Sequence, residues 1–306
     1  MSVGIIRNPI FQEHQTGSHP ECPQRLAAID QKLESNGLLH ELIPIDFEPA
    51  LKEDILRVHS NEVFETVMKK AEEGGGWIDS DTIVSPHSGR VALHSAGAGL
   101  AAVKAVLNGE VDRAMCLVRP PGHHATPTRS MGFCLFGNVA IAAEYLLTQE
   151  DVSRVGIIDF DVHHGNGTQD CFYERGDVFF LSLHQWPHYP GTGAAGDLGR
   201  GKGEGTTLNF PMPGEIDESM WFACFEKGLE AVEEFNPDFV LVSSGFDSHR
   251  EDPLGDFPLT EKSFERIAQQ LVTLSGGRRG MVSFLEGGYN LNALASSVSS
   301  YLQGQL

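Results

Sequence analysis

RVGIIDFDVHHGNGTQD, residues 154–170, begins as a strand and ends as a glycine loop. Val155, Ile157 and Ile158 form a short apolar run, the pattern of a strand covered on both faces. Asp159, Asp161, His163 and His164 follow within six residues, and Gly165, Asn166 and Gly167 come directly after. Acidic and imidazole groups at the point where a buried strand gives way to a glycine loop indicate a site at the carboxyl end of a parallel sheet. Side chains alternate along an extended chain, so Asp-x-His sets one oxygen and one nitrogen donor on the same side. That pair suits a divalent metal such as zinc. Taken singly, each residue is better read as a helix cap or a polar core group. As a cluster they are not, because two carboxylates this close in an apolar setting repel, and without a cation one of them would hold a proton.

Working outward, the 306 residues are enough for one large α/β domain with a sizeable core. Hydrophobic residues make up 41% and charged residues 21%, the balance of an ordinary soluble enzyme. The formal net charge of −20 argues against wrapping nucleic acid or an anionic membrane, since the chain would repel phosphates. It is compatible with a cationic ligand such as a lysine-rich tail or a polyamine, and equally with solubility alone. Cys22, Cys116, Cys134, Cys171 and Cys224 are scattered and never spaced CxxC, which reads as free thiols in a reducing compartment. No signal-peptide pattern opens the chain, and no stretch reads as a membrane span. The expected location is the cytoplasm.

Strand-like runs fall at residues 3–6, 43–45, 115–118, 178–183, 207–210, 239–243 and 281–285, in addition to the central one. Helical patterns fill residues 63–71, 91–107, 220–235 and 260–274, with a helix opened by Pro23, one capped by Asn138, a short one near 169–173 and a last one to 302. The helix at 91–107 is rich in Ala and Gly and is expected to pack closely under the sheet. Residues 79–88 and 186–205 read as loops. Repeated strand–loop–helix units without a linker or internal repeat predict one α/β domain over residues 1–306, with a parallel sheet covered by helices on both faces.

Three further motifs bear on chemistry. GTGAAG at 191–196 fits a dinucleotide fingerprint, but it follows Trp-Pro-His-Tyr-Pro rather than a strand and runs into more glycines rather than a helix, so it reads as a loop. RPPGHHA at 119–125 presents His123 and His124 from a stiff loop, a pair able to divide general base and general acid duties beside a metal-activated water. GFD at 245–247 puts a further carboxylate at a strand end. Asp161, His163 and Asp247 would then supply three protein ligands and leave a position for water, the arrangement of a catalytic site.

These blocks, together with HPECPQRL at 19–26, GFC at 132–134, SLH at 182–184, YPGTG at 189–193 and EGGYN at 286–290, resemble the zinc-dependent histone deacetylase family, which includes bacterial acetylpolyamine amidohydrolases. Many blocks in one order, over nearly the whole chain, are far more specific than any single motif. Asn166 in DVHHGNG resembles the class II branch. The resemblance implies the arginase–deacetylase fold, with a mostly parallel sheet of about eight strands. It implies zinc on Asp161, His163 and Asp247, and His123 and His124 as tandem catalytic histidines oriented by Asp159 and Asn166. Tyr289 would hydrogen-bond the substrate carbonyl and its oxyanion. Phe133 and Tyr189 would wall a tunnel for an acyl-lysine stem, with Gly132 allowing close approach and Asp81 gripping substrate amides at the rim. Arg25 matches a residue lining an internal cavity for acetate. A structural potassium ion on Asp159, Asp161, Ser182 and the carbonyls of His163 and Leu183 is also implied.

The reaction implied is hydrolysis of an N-acyl amine, most simply acetyl-lysine, to the amine and acetate. An acetylpolyamine amidohydrolase is the alternative, although Leu254 stands in DSHREDPLGD where polyamine-selective relatives carry a gatekeeping glutamate. A non-catalytic acyl-lysine reader would keep the tunnel without the chemistry, which the retained ligands, histidines and tyrosine argue against. An arginase-type binuclear manganese hydrolase would need bridging aspartates, and Asn166 stands where one would be sought.

Overall fold

The apolar runs become strands, and those inside the main sheet are buried along their length. In the computed structural model, which describes residues 2–306, the strands are β1 (Val3–Ile6), β2 (Leu42–Pro44), β3 (Gly76–Trp77), β4 (Ile83–Val84), β5 (Arg113–Cys116), β6 (Val155–Asp159), β7 (Val178–Gln185), β8 (Thr207–Met212), β9 (Phe239–Ser244) and β10 (Met281–Leu285). The helices are α1 (Gln24–Ser35), α2 (Lys52–Ile55), α3 (Asn61–Glu72), α4 (Ser88–Leu107), α5 (Asn138–Leu146), α6 (Asn166–Phe172), α7 (Glu218–Phe235), α8 (Glu261–Ser275) and α9 (Leu291–Gln305). Eight strands form one sheet in the order β2-β1-β5-β10-β9-β6-β7-β8. Every pairing in it is parallel.

Helices cover both faces, and adjacent residues of β10 show it. Phe284 packs against Gly99 of α4, where an added Cβ would lie 2.5 Å from the ring. Ser283, pointing the other way, hydrogen-bonds Tyr301 of α9 at 2.9 Å. The small-residue face of α4 thus lets the helix sit directly on the sheet, as its composition led us to expect. By length and composition α4 is also apolar enough to cross a bilayer, contrary to the sequence expectation, but two-thirds of that window is buried inside the fold. It is a core helix.

The remaining departures are local. Residues 79–88 are not all loop: β4 pairs antiparallel with β3, and α4 starts at Ser88. The short α2 was not foreseen, since four residues give too little periodicity to read. Gly137, not Asn138, is the N-cap of α5. The Asn138 amide is used elsewhere, donating to the Pro120 carbonyl at 3.1 Å and so holding the loop that carries His123 and His124.

The strands end in register, which is what assembles a site. Asp159 at the end of β6 lies beside Ser182 of β7 and Ser243 of β9, and Leu285 of β10 beside Ser244. The segments that follow β5, β10, β9, β6 and β7 therefore emerge side by side along one carboxyl edge.

His59 fastens the base of the segment that follows β5, residues 117–137. Its Nδ1 donates to the Thr126 carbonyl and its Nε2 accepts the Gly137 N–H, both at 2.8 Å, so a neutral ring is used fully. Burial lowers the His59 pKa from 6.5 to about 4, against the opposing pull of the Thr126 carbonyl. The unfolded chain therefore binds the extra proton first, and stability contributed at neutral pH is lost as pH falls from 6.5 towards 4. We predict that His59→Gln flattens the fall in urea-unfolding free energy across that window by up to about 3 kcal/mol. An unchanged slope would contradict the neutral bridging role.

Candidate metal centre and pocket

Asp161, His163 and Asp247 offer ligand atoms that all lie within 4.8 Å of one another, and all three residues are buried. The juxtaposition does not come from strand alternation, because β6 ends at Asp159 and the next residues bend. Instead, each carboxylate folds the chain back on itself. Asp159 Oδ1 accepts the Asp161 N–H at 3.1 Å, and Asp161 Oδ1 accepts the His163 N–H at 2.9 Å, so successive Asx turns bring the groups together. Asp161 and His163 do come together, but through turns and not through strand alternation.

His163 Nδ1 lies 3.0 Å from Asp161 Oδ1 and 3.2 Å from Asp247 Oδ2. Burial opposes its protonation, but the two carboxylates outweigh that and raise its pKa to about 10. Asp161 is held far below the usual carboxylate range against burial, by His123 and His163. Two carboxylates acting on one imidazole supply the negative charge that a divalent cation would neutralise.

The donor set fits such an ion. Asp247 Oδ1 accepts the Val162 N–H at 3.0 Å, whereas its Oδ2 is buried without a well-formed hydrogen bond. Asp161 Oδ2 accepts the Gly287 N–H at 2.8 Å. Gly245 and Gly287 press their backbones on these carboxylates, and a Cβ at either would overlap Asp161 Oδ2 or Asp247 Oδ2. One nitrogen and two carboxylate oxygens suit zinc.

His123 and His124 stand beside this cluster with ring centroids 4.0 Å apart. His123 Nδ1 donates to Asp159 Oδ2 at 2.9 Å, and His124 Nδ1 to Asn166 Oδ1 at 2.8 Å. The different partners separate the two rings electrically. Burial disfavours charge on both, but Asp159 and Asp161 raise the His123 pKa well above its usual value. For His124 burial prevails, reinforced by His123 and His163, and its pKa falls well below normal.

A cavity of about 360 Å³ opens over the cluster, lined by His124, His163, Tyr189, Tyr289, Leu254 and neighbours including Asp81, Gly132 and Phe133. Gly132 and Phe133 both have positive φ, 56° and 68°, with the Cys134 N–H returning to the Met131 carbonyl at 3.0 Å. A bulky residue in that region is strained. It is held there by Thr82 Oγ1, which accepts the Phe133 N–H at 3.1 Å, and by Asp81 Oδ1, which accepts the Gly132 N–H at 3.2 Å. A side chain at 132 would strike the His124 ring at 2.5 Å. Phe133 meets Tyr289 edge-on at 5.8 Å, and Tyr189 meets His124 edge-on at 5.1 Å.

Arg25 does not line this cavity. It is fully buried, donating to the carbonyls of Gly288 at 2.7 Å and Glu286 at 2.5 Å and to Glu21 Oε1 at 3.0 Å. Glu21 in turn receives Arg119, so HPECPQRL joins the loop of the paired histidines to the loop of Tyr289. The expected potassium ligands are adjacent, with Asp159 and Ser182 in register on neighbouring strands. Ser182 Oγ also meets His184 Nδ1 at 3.0 Å.

Glu286, the first residue of EGGYN, is a functional residue that the sequence pattern does not single out. Its Oε2 accepts the N–H groups of Gly122 at 2.7 Å and His123 at 3.2 Å, pinning the histidine loop across the sheet edge. Burial lifts its pKa to about 7, with His123 and the Gly122 N–H opposing. A carboxylate ending the apolar run MVSFL was the available signal. His188, stacked on His163 at 4.8 Å, carried none.

Comparison with known proteins follows this geometry. A model of the histone deacetylase domain matches residues 19–305. The chain is 44% identical to histone deacetylase 10, chloroplastic, of Oryza sativa subsp. japonica, over 94% of this chain and 69% of that one. It is 39% identical to the histone deacetylase-like amidohydrolase of Pseudomonas aeruginosa, over 91% and 74%. The crystal structure of the HDA15 HD domain superposes with a TM-score of 0.94 at 36% identity, covering 100% of this chain and 89% of that one.

The geometry predicts that Asp247→Asn lowers zinc affinity by at least about 10²-fold, measured by equilibrium dialysis with elemental analysis. Undiminished affinity would remove Asp247 from the ligand set.

Proposed function

The chain belongs to the histone deacetylase family, and from that premise we propose that it is a zinc-dependent amidohydrolase acting on N-acyl amines, with acetyl-lysine as the favoured substrate. The observation that carries this reading is the convergence of Asp161, His163 and Asp247 on one point, with His163 opening into a cavity that His124 and Tyr289 also line. A zinc ion held by those three residues would supply a Lewis acid that polarises the acyl carbonyl and acidifies water.

The protein groups do the rest. Phe133 and Tyr189 enclose the aliphatic stem, and Gly132 leaves room beside His124. His124 faces the cavity and is kept neutral, so it takes the proton of the attacking water and returns it to the departing amine. His123 does not line the cavity; held charged by Asp159, it stabilises negative charge from behind. Tyr289 stays a phenol, because burial and then Asp247 push its pKa well above the usual value, and it donates to the developing oxyanion. Asp159, Asp161, Ser182 and the carbonyls of His163 and Leu183 form the proposed potassium site, supported by successive buried carboxylates in need of positive charge. Asp81 remains the candidate for substrate amides at the rim, although one oxygen is already engaged by Gly132.

A second reading, an acetylated polyamine as substrate, gains from one observation. Asp256 lines the same cavity two residues from Leu254, placing a carboxylate close to the position where a gatekeeping glutamate is sought.

Tyr289→Phe is expected to lower kcat by about 10²- to 10³-fold with little change in KM. An unchanged kcat would remove the phenol from the mechanism. In direct competition an acetyl-lysine peptide should show the higher kcat/KM; a clear preference for acetylspermidine would reverse the two substrate readings.

A further inference from the structure

Asp252 lies in the loop between β9 and α8 and is only 8% exposed. Its carboxylate receives three backbone N–H groups from two separate loops. Oδ1 accepts from Leu254 at 3.0 Å. Oδ2 accepts from Tyr289 at 2.6 Å and from Asn290 at 3.2 Å. Asn290 adds a second link, its Nδ2 donating to the Glu251 carbonyl at 3.0 Å. Leu254 is gripped from its other side as well, because its carbonyl accepts from His188 Nε2 at 2.8 Å.

We propose that Asp252 is a positioning residue, binding the Leu254 wall of the cavity to the Tyr289 backbone so that wall and phenol hold one fixed spacing. The proposal rests on the reading of Tyr289 as the oxyanion donor. Backbone N–H groups aimed at a carboxylate form short, charge-assisted bonds, and both ends of this link reach the cavity. Fixing two cavity-lining groups to one another limits how far an acyl chain can shift relative to the phenol that meets its carbonyl.

The chemistry of the side chain makes the idea testable with two substitutions that should differ in kind. An amide has one accepting oxygen and one donating NH₂. In Asp252→Asn the oxygen keeps most bonds by facing Tyr289 and Asn290, which turns the NH₂ against the Leu254 N–H. That variant frees Leu254 and keeps the tyrosine. Asp252→Ala frees both.

We therefore expect Asp252→Asn to raise KM by about 3- to 10-fold with kcat within about 2-fold of wild type, and Asp252→Ala to lower kcat by about 10- to 100-fold. In a Tyr289→Phe background Asp252→Ala should cost no further kcat, because the group it positions is already gone. Equal losses from Asn and Ala, persisting undiminished in that background, would show a merely structural role and overturn the proposal. Amide hydrogen exchange reads the same link without turnover. The Tyr289 and Asn290 amides should be protected in wild type and in Asp252→Asn, and should exchange at least about 10-fold faster in Asp252→Ala. Unchanged exchange in Asp252→Ala overturns the link, whereas a protein that hydrolyses no acyl amine overturns the functional reading alone.

Discussion

Two carboxylates and one imidazole are pressed together at a place that water scarcely reaches, and the surrounding structure is shaped by that constraint. Asp161 and Asp247 are both fully buried, and an ionised carboxylate there is costly unless donors and positive charge meet it. Backbone N–H groups from His163, Gly287 and Val162 satisfy some of the oxygens. What remains, Asp247 Oδ2 and His163 Nδ1 beside Asp161, converges on one small volume. Glycine at 245 and 287 is required because the backbone itself supplies the walls.

The ends of β5, β10, β9 and β6 meet around this centre, so loops distant in sequence must be fastened to one another. Buried charged side chains do much of that fastening. Glu21 joins Arg25 and Arg119, and through them the Tyr289 loop to the histidine loop. Glu286 holds the N–H groups of Gly122 and His123 from the opposite strand end. Removing one partner from such a set leaves a buried charge uncompensated, which ordinarily costs far more than losing an exposed ion pair. The rigidity that keeps His123, His124 and Tyr289 in place therefore comes from residues that never face the cavity.

The strand cores were legible because a strand covered on both faces reads as a short apolar run, as in Val155, Ile157 and Ile158 or residues 239–242. The family blocks made the arginase–deacetylase fold legible, and the match to a solved structure bears it out. Less of the geometry could be read. The turn that brings Asp161 to His163 is a side-chain-to-backbone device, and an alternation argument gives the same residue pair whether or not the chain stays extended. Asn138 looked like a helix cap because local sequence favours that use, while its partner Pro120 is a long-range contact. Asp252 and Glu286 escaped for the same reason: their partners are backbone N–H groups, which leave no mark in the sequence.

The central claim is that one Lewis-acidic ion in this cluster drives hydrolysis at the cavity floor. Titrating zinc into the metal-stripped protein while following acetyl-lysine hydrolysis tests it most directly. The account predicts no turnover without metal, then activity rising in proportion to added zinc and levelling at one equivalent per chain. Full turnover by the stripped protein, or a break at two equivalents, would contradict it.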